Sequence, residues 1–173
     1  MAKIPLNLFA GAKTKGFAAV DISGNTAKWV FAESVQNKMV IKHVRFKTFE
    51  DPTDDDISLF ISGCFDEFKI SPRRAICCIP SHLFITKSVD MPSNDPDEIR
   101  KIVTLHAGRY TPYSREEIVI DYLSMQLPGQ HYTNVLLIIV NRMVAERYLG
   151  IFVRAGVELE KISVISEALG RAY

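Results

Sequence analysis

The sequence contains few cysteines, and no two of them have a metal-binding spacing. Three are present among 173 residues, and Cys77 and Cys78 are neighbours, so on a strand they point to opposite faces. An odd number without a spacing pattern argues against a disulfide framework. We therefore expect reduced thiols that pack as small apolar side chains, in a reducing compartment such as the cytoplasm.

Long hydrophobic runs are also missing. The longest aliphatic run, Val135–Val140, has six residues, whereas a membrane-spanning helix needs ~20. The apolar patch Ile4–Phe9 is interrupted by Pro5 and Asn7, and it is too short for a signal peptide. We do not expect the chain to cross or enter a membrane unaided.

The positive and negative charges of the sequence are nearly balanced. Lys and Arg number 21 and Asp and Glu 20, a net charge of +1, which gives no overall attraction to nucleic acid. The four histidines lie in separate predicted elements, and no nucleophile motif of the G-x-S-x-G kind is present. We accordingly predict no catalytic residue and no metal site.

The composition is that of a globular chain, with 47% hydrophobic and 24% charged residues. The first strands, Phe17–Ile22 and Thr26–Glu33, flank a Ser-Gly-Asn turn and predict a β-hairpin. Lys38–Thr48 predicts a third strand. Its apolar positions alternate through Met39, Ile41, either His43 or Val44, and Phe46.

A helix and a buried strand follow the three strands. Thr53 and Asp56 form a predicted capping box at the helix start, and Ser71-Pro72 ends the helix. Ala75–Ile79 is wholly apolar, as expected for a strand buried on both faces in a parallel pairing. The first 80 residues therefore predict a β-β-β-α-β order within an α+β fold.

The remaining sequence predicts four more strands and two complete helices. A last helix begins at Ser166 and the sequence ends without a cap. We therefore expect an amino-terminal piece of a longer protein. The predicted strands are Leu83–Asp90, Glu117–Met125, Thr133–Val140 and Val157–Val164, and the helices run from Asp95 to before Pro112 and from Asn141 to Ala155.

The first hairpin carries residue types that suit a phosphate site. An acid at a strand end can hold hydrated Mg²⁺, and backbone N–H groups of a turn of small residues can converge on a phosphate. The same residue types also make ordinary solvent-exposed turns, and the two interpretations are equally supported. The candidate cofactor-binding residues are Asp21, Ser23, Gly24, Asn25, Thr26 and Lys28.

The order and spacing of several segments resemble the amino-terminal half of the PilM family of type IV pilus assembly proteins. That family has an actin-like ATPase fold related to FtsA and GspL. The similar segments include Asp21–Lys28, Cys78–Pro80, Tyr110–Pro112, Ala155–Glu158 and Ser166–Ala172.

The resemblance implies an actin-like, ribonuclease H-like core with a smaller inserted subdomain. The core would comprise residues 17–79 plus 165–173, and the partner-binding insertion residues 80–164, after a flexible leader of residues 1–16. In the family, ATP and Mg²⁺ lie between two halves, and the second half completes the site. Ser23 stands where the family usually has Gly, and its Cβ crowds the phosphate approach. We expect no nucleotide bound to this chain and no ATP hydrolysis by it alone.

The resemblance also implies a partner. PilM-like proteins lie on the cytoplasmic face of the inner membrane and hold the cytoplasmic tail of the membrane protein PilN. An extended tail would be held by sheet edges and apolar pockets. The leader Ile4–Phe9 itself resembles such a tail and allows self-association. The candidate partner-binding residues are Pro80, Leu83, Phe84, Leu105 and Tyr110.

Three hypotheses follow. The leading one is a cytoplasmic scaffold module of a type IV pilus or type II secretion platform, peripheral to the inner membrane, which binds a PilN-like tail. The second is the nucleotide-binding half of an actin-like ATPase. The third is an unrelated α+β interaction domain.

Overall fold

A computed structural model describes residues 16–36, 38–126 and 132–164. The chain divides into two compact units, one formed by the residues up to Ser81 together with those from Glu146 onward, the other by His82–Ala145. The strands are β1 Gly16–Ser23, β2 Thr26–Val35, β3 Lys38–Thr48, β4 Arg74–Ile79, β5 Phe84–Met91, β6 Ile118–Gln126, β7 Thr133–Asn141 and β8 Glu158–Val164, and the α-helices are α1 Asp54–Glu67, α2 Pro96–His106 and α3 Arg142–Arg154.

The first unit contains a five-stranded mixed sheet in the order β3-β2-β1-β4-β8. The first three strands form an antiparallel meander, and β4 runs parallel to both β1 and β8. The predicted β-β-β-α-β order is confirmed. The side chains of β4 alternate between buried and half-buried, so this strand is not fully buried on both faces as its apolar sequence predicted.

Helix α1 covers one face of this sheet. It begins with the predicted capping box: the Thr53 hydroxyl accepts from the Asp56 N–H at 3.2 Å, and the Asp56 carboxylate accepts from the Thr53 N–H at 3.0 Å. These bonds satisfy N–H groups that a helix start leaves unpaired. Trp29 packs edge-on against Phe65 with ring centroids 5.5 Å apart, and both side chains are fully buried. The core of the unit therefore lies between α1 and the meander.

Helix α3 also packs against α1. The Ser58 hydroxyl donates to the Ile151 carbonyl oxygen at 3.0 Å. Asp54 pairs with Arg147 at 2.9 Å and with Arg154 at 3.3 Å. The acidic first turn of α1 therefore suits the positive end of the helix dipole and also pairs with α3.

The boundaries of the units differ from the prediction. The sequence placed residues 80–164 in an insertion, but the second unit ends at Ala145. Strand β8 belongs to the first unit because it pairs with β4, with Cys77 opposite Ile162. Gly16, predicted to lie in the leader, is already part of β1. The rest of the leader and the predicted helix at residues 165–173 lie outside the described residues.

The second unit is a three-stranded antiparallel sheet in the order β5-β7-β6, with α2 packed on it. The Asp95 carboxylate accepts from the Asp97 N–H at 2.8 Å, and so caps α2 where the sequence predicted its start. Five buried residues form the core between helix and sheet: Met91, Ile99, Val103, Val135 and Leu137.

Candidate functional site

The β1–β2 hairpin carries the predicted phosphate-binding residues. Ser23 and Thr26 pair across the strands, so Gly24 and Asn25 form a two-residue loop. Gly24 has φ 58° and stands at the first central position, where a type II′ turn takes glycine because that backbone conformation is strained for other residues. The turn itself is exposed.

Asp21 and Lys28 face each other across this hairpin. Their side chains form an ion pair with an N–O distance of 3.0 Å. The carboxylate oxygen Oδ1 of Asp21 is buried without a hydrogen-bond partner among the described residues. The pair therefore combines an ammonium group with one carboxylate oxygen that is unsatisfied, and such an oxygen can accept a bond from a cation's water.

Asn25 and Thr26 have structural contacts instead. The Asn25 side-chain amide donates to the Phe49 carbonyl oxygen at 3.0 Å, and the Phe49 N–H donates to the Asn25 carbonyl oxygen at 2.8 Å. The Thr26 and Thr48 hydroxyls lie 3.3 Å apart. These bonds tie the turn to the end of β3, so the two side chains are engaged in holding the hairpin.

The described residues of the hairpin offer three features that suit a phosphate. They supply one acid, one lysine and a tight turn, and the turn's polar side chains bond to β3. Within residues 16–36, 38–126 and 132–164, no group of three or more His, Cys, Asp or Glu side chains is placed to hold a metal ion.

The predicted partner-binding residues separate into different environments. Pro80 is buried directly after β4, in the first unit. Leu83 and Phe84 line a cleft of the second unit. Tyr110 packs against the core beneath α2.

Leu105 lies on the exposed side of α2, away from the core of the second unit. Its side chain is 72% exposed. At about 100° per residue, position 105 lies about 200° from the buried Val103, which places it on the opposite side of the helix. Neither Leu105 nor Tyr110 lines the cleft that contains Leu83 and Phe84.

The cleft has a volume of about 170 Å³. Small-molecule sites usually have roughly 300–1,000 Å³, so this cleft is sized for a single side chain rather than a cofactor. Its walls combine apolar side chains with polar groups of His82, Tyr113 and Asn141. The lining residues are His82, Leu83, Phe84, Ile85, Tyr113, Ile139, Asn141 and Val144.

Of these lining residues the sequence predicted only Leu83 and Phe84, and it missed six: His82, Ile85, Tyr113, Ile139, Asn141 and Val144. The sequence placed the start of α3 at Asn141, and the side-chain oxygen of Asn141 accepts the Met143 N–H at 2.9 Å. The proximity of Tyr113 to β5 had no signal in the sequence, because it depends on how the segment after α2 folds back.

The thiols of Cys64 and Cys77 are poor nucleophiles. Cys64 is buried, and its burial, together with the charge of Glu67, raises its pKa to about 11. Burial also raises the pKa of the Cys77 thiol well above its usual value. Both groups are neutral at physiological pH, as expected for cysteines that serve packing.

No family profile matches the sequence, and no curated protein matches it. Solved structures do match the fold. A "PilM-PilN type IV pilus biogenesis complex" matches with a TM-score of 0.74 and 16% identity over 86% of this chain and 47% of that one. The chain has a PilM-like, actin-like fold.

A second structure supports this assignment. The cytoplasmic domain of EpsL, an inner membrane component of the type II secretion system of Vibrio cholerae, matches with a TM-score of 0.62 and 13% identity. The match covers 86% of this chain and 57% of that domain. The chain thus spans about half the length of these two structures. Among the helices of the described residues, none has the length and apolar character needed to cross a membrane.

Proposed function

We propose that this chain is a cytoplasmic scaffold module of a type IV pilus or type II secretion platform, peripheral to the inner membrane. Its partner would be the cytoplasmic tail of a PilN-like membrane protein. The observation that carries the proposal is the fold shared with a chain of the PilM-PilN type IV pilus biogenesis complex. The fold shared with the EpsL domain supports the same kind of machine.

The second unit offers a binding mode for such a tail. Strand β5 lies at an edge of the described three-stranded sheet and begins at Phe84, a lining residue of the cleft. An extended peptide can pair with an edge strand through its backbone while one of its side chains enters a pocket. The cleft would accept one apolar side chain of the tail.

The test is calorimetric titration of the folded chain with a peptide that copies a PilN-like tail. We expect Leu83→Ala and Phe84→Ala to weaken binding by about ten- to a hundredfold, as for hot-spot residues. Leu105→Ala is the matched control, because it also removes an apolar side chain of unit two but lies outside the cleft. Melting temperatures separate lost binding from lost folding.

Two results would refute the proposal. One is the absence of binding to the folded wild-type chain at millimolar peptide. The other is an equal loss of affinity in Leu105→Ala and Phe84→Ala when both variants melt at the wild-type temperature.

The second candidate is the nucleotide-binding half of an actin-like ATPase, with ATP and Mg²⁺ bound in the whole protein. The Asp21–Lys28 pair and the unsatisfied Asp21 oxygen favour it. The engagement of Asn25 and Thr26 with β3 counts against it. The third hypothesis, an unrelated α+β domain, loses support from the shared fold.

A further inference from the structure

Strand β3 is an edge of the five-stranded sheet as described. It pairs with β2 along its whole length, from Lys38 opposite Val35 to Thr48 opposite Thr26. No other described strand pairs with it. A row of backbone N–H and C=O groups on its outer side is therefore available to a further strand.

A bulge sorts the side chains of β3 between the two faces of the sheet. His43 lies opposite Phe31 and Ile41 opposite Ala32, so Lys42 is an extra residue with no partner on β2. From this extra residue onward, the side chains that point to each face of the sheet are shifted by one position. The face opposite to α1 consequently receives four apolar side chains, called here the apolar row: Met39, Ile41, Val44 and Phe46.

The apolar row is strongly exposed. Its four side chains have exposed fractions from 52% for Val44 to 74% for Phe46. Half of the exposed large apolar side chains in the described part of the chain lie between Val35 and Phe46. Concentrations of this kind mark interaction surfaces, whereas single exposed apolar side chains are ordinary.

The charges of β3 all have one sign. The strand contains four basic residues and no acidic one: Lys38, Lys42, Arg45 and Lys47. Arg45 points toward α1, where it pairs with Glu67 and lies over the Phe68 ring at 4.6 Å. The Lys47 ammonium lies over the Phe49 ring at 4.7 Å. Lys38 and Lys42 form no ion pair with the described residues.

The positive charge argues against a second copy as the occupant of this edge. Two β3 strands side by side would bring lysines and arginines together, and like charges on paired strands are unfavourable. Lysines and bulges are common devices that keep sheet edges from pairing with themselves. The same charges attract a strand of opposite sign.

We propose that the outer edge of β3 binds an extended acidic segment of another protein, in which apolar and acidic side chains alternate. The backbone of that segment would extend the ladder. Its apolar side chains would continue the apolar row, and its carboxylates would lie on the α1 face beside the basic side chains of β3. All these residues belong to the first unit, whereas the tail-binding cleft belongs to the second, so each proposal can fail without the other.

The test uses the full chain and capped ten-residue peptides labelled for fluorescence anisotropy. One peptide alternates valine and glutamate, and its matched control has lysine in place of each glutamate. A third carries N-methyl groups at alternate residues, which removes ladder hydrogen bonds. We expect binding of the glutamate peptide, and at least about tenfold weaker binding of the other two.

Two variants of β3 and one control on α1 test the assignment to this strand. Phe46→Ala should weaken binding about tenfold, while Leu59→Ala, which truncates an equally exposed apolar side chain on α1, should leave it unchanged. Lys42→Glu should weaken binding of the glutamate peptide and strengthen that of the lysine peptide. Unchanged melting temperatures of the variants show that the sheet is intact.

The proposal fails if the glutamate peptide does not bind at millimolar concentration, or if the glutamate and lysine peptides bind equally. It fails as well if Phe46→Ala and Leu59→Ala behave alike. Concentration-dependent self-association in sedimentation, abolished by Phe46→Ala, would assign the edge to a second copy of the chain and overturn the proposal.

Discussion

The Tyr148 hydroxyl donates a hydrogen bond to the backbone carbonyl oxygen of Ile22 at 3.2 Å. Tyr148 is buried on α3, and Ile22 lies near the end of β1, next to the Asp21–Lys28 pair. Burial raises the pKa of Tyr148 above its usual value, so the phenol remains a neutral donor at physiological pH. A side chain from late in the sequence therefore fixes the strand that carries the candidate phosphate turn.

Replacing this tyrosine by phenylalanine keeps the ring and removes only the donor. We expect Tyr148→Phe to lower the free energy of unfolding by about 1–2 kcal/mol, since the Ile22 carbonyl loses a buried partner. Urea denaturation followed by circular dichroism measures this. Phe152→Ala, a cavity-forming change on the same helix, should cost more, about 3–5 kcal/mol. If Tyr148→Phe unfolds at the same urea concentration as the wild type, the hydrogen bond to Ile22 adds no stability.

The capping box of α1 predicts that the stability of the folded chain depends on pH. Hydrogen bonds from Thr53 lower the pKa of Asp56 below its usual 3.8. A carboxyl group whose pKa is lower in the folded state stabilises that state at pH values above its unfolded-state pKa. This contribution to stability is lost as the pH falls through the folded-state pKa. Asp56→Asn should therefore melt below wild type at pH 7, and the difference should shrink at pH 2–3. A constant difference across this range would contradict the assignment.

The thiols should react in an order set by burial. Cys78 is half-buried, whereas Cys64 and Cys77 are buried with raised pKa values. We expect iodoacetamide at pH 8 to modify Cys78 first in the native chain, because alkylation requires an accessible thiolate. Mass spectrometry of tryptic peptides after timed quenching gives the order. Equal rates at all three cysteines in native buffer, but not in urea, would be incompatible with the packing described.

Nucleotide turnover by this chain alone should be undetectable. The Asp21 carboxylate is paired with Lys28, and the Asn25 and Thr26 side chains are bonded to the end of β3. Phosphate release from ATP with Mg²⁺ should equal that of a protein-free control. Release above this control that Asp21→Ala abolishes would prove the prediction wrong and favour the ATPase hypothesis.

The secondary structure was largely predictable because each element has a local signal. The Thr53–Asp56 capping box, the Asp95 cap and the alternation in the strands all depend on residues within a few positions. Strand β3 shows the limit of such signals. The sequence left open whether His43 or Val44 continues the apolar alternation, and only the bulge at Lys42 decides in favour of Val44.

The candidate sites were less predictable because they depend on contacts distant in sequence. The engagement of Asn25 with Phe49 requires β3 to return beside the turn. The boundary at Ala145 depends on the pairing of β4 with β8 across the whole second unit.

The position of β4 between β1 and β8 has a consequence during synthesis. After Ile79 leaves the ribosome, one side of β4 has β1 beside it, but its other partner emerges only after every residue from Pro80 to Val157 has been added. At about 5–20 residues per second, this takes roughly 4–16 s. For that time the nascent chain presents an apolar strand with one open edge, the kind of segment that chaperones protect from premature association.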